Sequence, residues 1–307
     1  MMQAVHITSG GPRLSADLYL PEDACGPVPA VVTGSGFGGV KEMLLPMFAR
    51  ALAEAGIAVL SIDYAGFGAS DGEPRQQLDP RAQIRDLQRG LDYLSNLAGI
   101  DANRLGAWGP SMCGAHVLVL AGTDPRVRAA VSIIPFVKAP DTPDWAVARA
   151  IALDALRRLL GGKGRTIAVS GGPDDFAVMK TDGALAWIRE VSAQAPLFRN
   201  EVTLASLAKV GAYRPMRIVG PAGIRIPLRT ILATADTVTP ADSARRELSS
   251  VAHNDVVEFP GSHFELFGTH LPEVIRLTVA WFTRHLSVDA QAGATVTNDR
   301  QAQLGAR

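Results

Sequence analysis

One stretch of this 307-residue chain restricts what can be built around it: Asn103-Arg-Leu-Gly-Ala-Trp-Gly-Pro-Ser-Met-Cys-Gly-Ala-His-Val-Leu-Val-Leu120. Leu105 to Trp108 is a short apolar run that suits a buried strand, and Gly109-Pro110 breaks it. From Met112 the apolar residues resume in a helix-compatible segment. Ser111 therefore sits where a strand turns sharply into a helix. Small residues flank it at Gly109 and Gly114, because larger ones would clash across such a turn. The turn pushes one hydroxyl out at the tip of a sheet. It also aims a helix N-terminus at that hydroxyl, which favours negative charge developing there.

The rest of the chain supplies a sheet for that turn. Residues 2–8 and 13–20 alternate apolar and polar around Ser9-Gly-Gly-Pro12, which reads as an antiparallel hairpin at a sheet edge. Pro29 to Thr33 is a buried strand, followed by a helix with Leu44, Met47, Phe48, Ala51, Leu52 and Ala55 on one face. Gly56 to Asp63 is the next strand. Asp79-Pro80 opens a helix striped by Ile84, Leu87, Leu91 and Leu94. After the Ser111 turn come a strand over Ala129–Phe136, a strand over Pro227–Ala235, a helix over Asp242–Val251 and a strand over Val256–Phe259. An amphipathic helix, Leu271–Leu286, closes the pattern. Alternating strand and helix imply an α/β fold with a mostly parallel sheet covered on both faces. Residues 137–225 break this rhythm with a helical stretch near Trp145–Leu160, and include Trp145, Phe176, Met179, Trp187, Phe198 and Tyr213. That is too long for a plain loop, so the expected domains are a core of 1–136 and 226–286 and a cap or lid of 137–225. The polar tail, 287–307, is expected to be mobile.

A serine hydroxyl needs a base to take its proton and an acid to orient that base. Asp236 ends the strand Leu228–Ala235 and fits the acid; His263, in Pro260-Gly-Ser-His-Phe264 just after the last strand, fits the base. Each alone reads equally well as a helix cap or a loop histidine; their order and their places at strand ends single them out. Among other histidines, His6 and His253 flank edges or turns, His116 lies on the helix after Ser111 and His285 ends the last helix. His270 is the real rival for the base, and Asp255, Asp141 and Asp144 are weaker candidates for the acid.

Two motifs compete with this reading. Gly34, Gly36 and Gly39 match G-x-G-x-x-G after a strand, with Asp63 ending the next strand, the marks of a dinucleotide site. The same glycines also let backbone N–H groups approach an oxyanion, with Phe37 and Met112 as the two donors. The dinucleotide reading leaves Ser111, Asp236 and His263 unexplained. Gly68-Ala-Ser-Asp-Gly72 is formally G-x-S-x-G, but its surroundings read as turns, so Ser70 is expected to be structural. Cys113 is expected to point inward, and Lys41-Glu42 to be a solvated helix start.

With these residues in place the chain resembles an α/β-hydrolase, with Ser111 at the nucleophile elbow and Cys113 where the last glycine of G-x-S-x-G usually stands. It is most similar to the bacterial group of dienelactone hydrolases and the catalytic domains of X-Pro dipeptidyl peptidases. The likeness rests on Gly36-Phe-Gly-Gly-Val-Lys-Glu42, Gly66-Phe-Gly-Ala-Ser-Asp-Gly-Glu-Pro74, Gly109-Pro-Ser-Met-Cys-Gly114, Asp236 and Gly261-Ser-His263. Two positions depart from it: Ser35 stands where many relatives have histidine, and Ala65 interrupts the Asp-x-Arg-Gly that often follows the fourth strand. The resemblance implies an α/β-hydrolase fold with an N-terminal antiparallel hairpin and an inserted cap. It implies a serine hydrolase acting on an ester, thioester or lactone of a small apolar molecule, with no metal and no organic cofactor. Acyl transfer, elimination or cyclisation on the same scaffold is the alternative. Lys+Arg and Asp+Glu number 30 each, which argues against nucleic acid and anionic lipid as partners. With no run long enough to span a bilayer and only Cys25 and Cys113, a cytoplasmic protein with a small-molecule substrate is expected. Its oligomeric state is left open, a homodimer included.

Overall fold

The computed structural model describes residues 1–139, 144–181, 183–220 and 223–287. Pro140, Asp141, Pro143 and the tail beyond Ser287 lie outside the described residues. Strands β1 (Met2–Ile7) and β2 (Leu14–Tyr19) form the expected hairpin, followed by β3 (Val28–Gly34), α1 (Leu45–Glu54), β4 (Ala58–Ile62) and α2 (Pro80–Ser95). Then come β5 (Ile100–Pro110), α3 (Met112–Thr123) and β6 (Val127–Ile133). Between β6 and the next core strand lie α4 (Trp145–Leu159), β7 (Thr166–Ser170), β8 (Ala177–Met179), α5 (Ala184–Ser192), β9 (Val202–Thr203), α6 (Leu204–Gly211) and α7 (Pro215–Val219). The chain ends with β10 (Leu228–Ala233), α8 (Ala241–Leu248), β11 (Asn254–Phe259) and α9 (Leu271–His285).

The eight core strands form one sheet in the order β1-β2-β4-β3-β5-β6-β10-β11. It is antiparallel at β1–β2 and β2–β4 and parallel from β4 onward. Phe48 and Leu52 of α1 and Trp281 and Phe282 of α9 pack on one face, against Val31, Val59 and Trp108. The Phe48 and Trp108 rings stack with centroids 4.5 Å apart. On the other face Leu87 and Leu91 of α2, Val117 and Leu118 of α3, and Ala244 and Leu248 of α8 join Val32, Leu60 and Ala107 in one cluster. Each such fully buried side chain contributes roughly 1.5–3 kcal/mol. This is the mostly parallel α/β sheet that the alternation implied, in the arrangement that the resemblance to α/β-hydrolases implied. The two-sided cover explains why β3, β4 and β5 are apolar runs without alternation.

Local rules account for much of the rest. Asp79 caps α2, accepting from Arg81 N and Ala82 N, with Pro80 at the first helical position. α3 is buried on every side, because α2 and α7 also pack on it. The insertion carries a second sheet of three short strands, β8-β7-β9, which periodicity alone had not separated from loop. β6 stops at Ile133, three residues before the expected end, because Ile134 turns to φ 41°.

The N-terminal hairpin is fastened to the far side of the chain by one buried cation. Arg89 of α2 donates to the carbonyls of Ser9 (2.6 Å), Pro12 (2.6 Å) and Ile7 (3.2 Å), and pairs with Asp86 at 3.2 Å. Removing the guanidinium leaves three carbonyls and a carboxylate without their partner. Arg89→Met is therefore expected to cost about 3–5 kcal/mol in urea unfolding, whereas Arg81→Met, on the exposed side of the same helix, stays within about 0.5 kcal/mol.

Candidate active site

Every residue from Leu105 to Ala121 is buried except Ser111, which is partly exposed. Its backbone is at φ 54°, ψ −114°, a left-handed region that costs a side-chain-bearing residue about 1–3 kcal/mol. The neighbours hold it there. Ser111 N donates to Ile133 O at 2.8 Å, and Ser111 O accepts from Phe136 N at 3.2 Å. A Cβ at Gly109 would fall on the Cys113 side chain, and one at Gly114 would lie 2.9 Å from Ile133 O and 3.0 Å from Gly109 O. So Cys113 is accommodated because Gly109 leaves room for its side chain, while Gly114 lets α3 approach the Ile133 and Gly109 carbonyls. Its thiol points inward, fully buried, with Sγ 3.9 Å from Trp108 O, and burial pushes it up to about 11.

Asp236 and His263 meet at the end of the parallel strands. His263 Nδ1 lies 2.7 Å from Asp236 Oδ2, and both residues are 5% exposed. A carboxylate at that distance places the ring proton on Nδ1 and leaves Nε2 as the acceptor. Asp236 is itself fixed by its own turn, Oδ1 accepting from Val238 N (2.8 Å) and Thr239 N (2.7 Å). Burial would raise its pKa, but the bonds from His263 and Thr239 outweigh it and hold the carboxyl below its ordinary range. Thr239 was not singled out in the sequence. Its hydroxyl lies 2.8 Å from Asp236 Oδ2, 3.1 Å from Ile134 O and 3.2 Å from His263 Nδ1. The signal available was local: an aspartate followed three residues later by threonine is the pattern of a side chain capping its own turn.

A cavity of about 60 Å³ opens beside these groups, lined by Ser111, His263, the Ser35–Phe37 loop and an otherwise apolar wall. Met179, Trp187, Ile188 and Phe198 of the insertion contribute to that wall, with Phe264 and Phe267 from the core. Three of the six large apolar residues expected to cover the site thus do so. Tyr213 instead bonds His116 beneath α3, at 3.0 Å, and Trp145 and Phe176 are 79% and 47% exposed. His116, whose other ring nitrogen lies 3.0 Å from Gln83 Oε1, is pushed down to about 3 by burial and stays neutral.

The glycine loop packs against Ser111, a Cβ on Gly36 falling 3.4 Å from the Ser111 Cβ. Among the described residues neither Phe37 N–H nor Met112 N–H finds an acceptor. α1 begins only at Leu45, so no helix N-terminus follows the glycines as a dinucleotide site requires. The expectation of a solvated helix start at Lys41-Glu42 is corrected: Lys41 is 7% exposed, its Nζ bridging Asp17 (3.2 Å) and Glu42 (3.0 Å). Its backbone N donates to Asp63 Oδ1 at 2.8 Å. Burial raises Asp63 to about 6. Ser70 is buried, donating to Asp63 O at 2.7 Å and accepting from Ser15 N at 2.8 Å. Arg75 donates to the Gly68 and Ser70 carbonyls of the loop that follows β4. Of the rivals, His270 bonds Pro260 O (3.0 Å), Asp144 caps α4 and Asp255 pairs with Arg229; none lines the cavity.

Comparison with known proteins shows the family. The family model described as Serine aminopeptidase, S33 matches residues 27–262, and the chain belongs to that family of α/β-hydrolases. The Quorum-quenching protein AidA of Acinetobacter baumannii is 28% identical over 293 residues, 92% of this chain and 95% of that protein. The Polyketide transferase claH of Penicillium crustosum is 28% identical over 277 residues, 85% and 90% of the two chains. Among solved structures, DcsB in complex with its substrate analogue superposes with a TM-score of 0.83 at 24% identity, covering 93% of this chain and 99% of that one.

The inward cysteine gives a direct check on the elbow. Cys25 is exposed and Cys113 fully buried, so a disulfide reagent at neutral pH is expected to titrate one thiol in the native protein and two after denaturation. Rapid native modification of Cys113 would show that the turn is open.

Proposed function

We propose that this protein is a serine hydrolase that cleaves an ester, thioester or lactone of a small, fairly apolar molecule through an acyl-enzyme on Ser111. One observation carries the reading. A serine held in strained backbone at the head of α3 shares a cavity with a buried histidine already bonded to a carboxylate. In this scheme Ser111 Oγ attacks the substrate carbonyl as His263 Nε2 takes its proton. Phe37 N–H and Met112 N–H hold the oxyanion. Collapse expels an alcohol or thiol, which takes the proton from His263; water then attacks in the same way and frees the acid and Ser111. Asp236 keeps Nδ1–H in place and stabilises the imidazolium. The scheme calls for no metal or organic cofactor.

Residues 137–225 act in it as a cap whose Met179, Trp187, Ile188 and Phe198 form the acyl wall. The closer likeness to dienelactone hydrolases and X-Pro dipeptidyl peptidases belongs to this proposal, as does action in the cytoplasm, where the Cys25 and Cys113 thiols stay reduced. An aminopeptidase must hold a free α-amine; among the described residues the cavity lining carries no carboxylate, and its apolar wall favours esters and thioesters. A second reading is acyl transfer from the same acyl-enzyme. It is supported by the narrow apolar cavity, which limits water, and by the transferase among the relatives.

A fluorophosphonate probe is expected to label Ser111, with the adduct mapped by mass spectrometry. Ser111→Ala should abolish labelling, and Ser70→Ala should leave the hydroxyl that reacts untouched. His263→Ala should lose about as much activity as the serine variant, several orders of magnitude, since the pair acts as a unit. An adduct on Ser70 or Cys113 would refute the assignment. Thr239→Val removes one bond to an ionised carboxylate, so kcat should fall about tenfold while KM is little changed. With p-nitrophenyl esters each added methylene should raise kcat/KM about fourfold until the cavity is full; rates indifferent to acyl length would rule out an apolar acyl wall. Adding a thiol or amine acceptor separates the two readings, since only a transferase diverts most product to it.

A further inference from the structure

Among the described residues, one helix of the insertion leaves a face without a partner. Trp145, Leu153, Leu156 and Leu159 of α4, and Leu160 just past its end, are between 50% and 86% exposed. Their spacing of three, four and eight residues puts them on one side of the helix. The opposite side is spent on the core, where Val147, Ala150 and Ile151 pack and Asp154 is buried. Scattered surface leucines need no explanation, but five large apolar side chains on one side of a single helix do.

The charge around the ridge has one sign. In a chain with equal numbers of acids and bases, residues 144–165 hold Arg149, Arg157, Arg158, Lys163 and Arg165 against Asp144 and Asp154. Both carboxylates are already engaged. Asp144 accepts from Ala146 N and Val147 N at the helix start. Asp154 accepts from Arg165 N at 2.7 Å and pairs with Arg158 at 3.1 Å. What faces outward is an apolar strip with Arg149 between Trp145 and Leu153 and further cations toward its carboxyl end.

A second copy of the chain is a poor fit for that strip. A symmetric pairing through α4 would set Arg149 and Arg157 of one copy against the same cations of the other. An anionic lipid surface meets both features at once: it accepts an apolar face without matched shape, and its phosphates attract the flanking cations. We propose that α4 is an interfacial helix through which the protein docks reversibly on anionic phospholipid. Trp145 and the four leucines are immersed, and Arg149, Arg157 and Lys163 lie at the headgroups. This revises the expectation of no membrane partner, which rested on net charge and on the lack of a spanning segment. Among the described residues no helix is long and apolar enough to cross a bilayer, and peripheral docking needs none. The inference goes beyond the proposed chemistry and does not rest on it.

The test is co-sedimentation of the full chain with vesicles of phosphatidylcholine alone and of phosphatidylcholine mixed with phosphatidylglycerol. The wild type should sediment with the mixed vesicles, and less as salt rises. Leu156→Ser with Leu159→Ser should weaken binding about tenfold or more, and Arg149→Gln with Arg157→Gln about fivefold per cation on mixed vesicles. All four side chains are exposed, so unchanged thermal melting of both variants confirms that the fold is intact. A wild type that stays in the supernatant with both vesicles overturns the proposal. So do variants that bind as tightly as the wild type. If the leucine variant turns a dimer into a monomer in light scattering and the wild type ignores lipid, the occupant is a second copy.

Discussion

The left-handed backbone of Ser111 is the constraint on which the rest of this architecture depends. A strand that ran straight into a helix would bury the hydroxyl with its neighbours from Leu105 to Ala121. Turning it outward costs about 1–3 kcal/mol, and that cost is carried by contacts that only a parallel sheet provides. Ile133 O receives the Ser111 N–H from the next strand, and Phe136 N–H returns to Ser111 O. The glycines at 109 and 114 are there because the helix comes back so close to the strand it left. The strain is thus set by β5, β6 and α3 together, and any substrate meets it already in place.

The end of β6 links the two halves of the site. Ile133 O holds the Ser111 turn, while the next residue, at φ 41°, gives its carbonyl to Thr239 and its N–H to Ile231 O. Thr239 in turn touches Asp236 and His263. Two consecutive carbonyls, the last of β6 and the one just past it, therefore link the loops that carry Ser111 and Asp236. On the opposite side of the elbow, Asp63 performs a similar task for the glycine loop through Lys41 N and for its own loop through Ala69 N, at 2.8 and 3.0 Å. The polar groups around the site are satisfied mainly by backbone, which moves less than side chains do.

How much of this was legible in the sequence follows from the range of the interactions. The elbow, the hairpin, the Asp79 cap and the positions of Asp236 and His263 at strand ends depend on residues a few places apart, and they are readable as pattern. The burial of Lys41 is not, because its partners Asp17 and Asp63 lie about twenty residues away on β2 and after β4. A lysine followed by a glutamate looks solvated until the strands are assembled. The insertion was readable as an interruption but not as a surface: aromatic content could not tell Trp187, in the cavity wall, from Trp145, which faces outward. Thr239 was missed although its signal was local, because threonine before Pro240 also reads as an ordinary helix start.

The Arg89 clamp has a consequence for the order in which the protein is made. Its acceptors lie at positions 7, 9 and 12, so the β1–β2 hairpin leaves the ribosome and waits for a residue about eighty positions behind it. At roughly 5–20 residues per second this is a delay of about 4–16 seconds, and β2 also needs β4 before its second edge is paired. During that interval the hairpin is an isolated two-stranded ribbon, marginal in water, with an unpaired edge open to other nascent chains. The hairpin is thus synthesised well before the residue that secures it, and crowding during synthesis bears heavily on it.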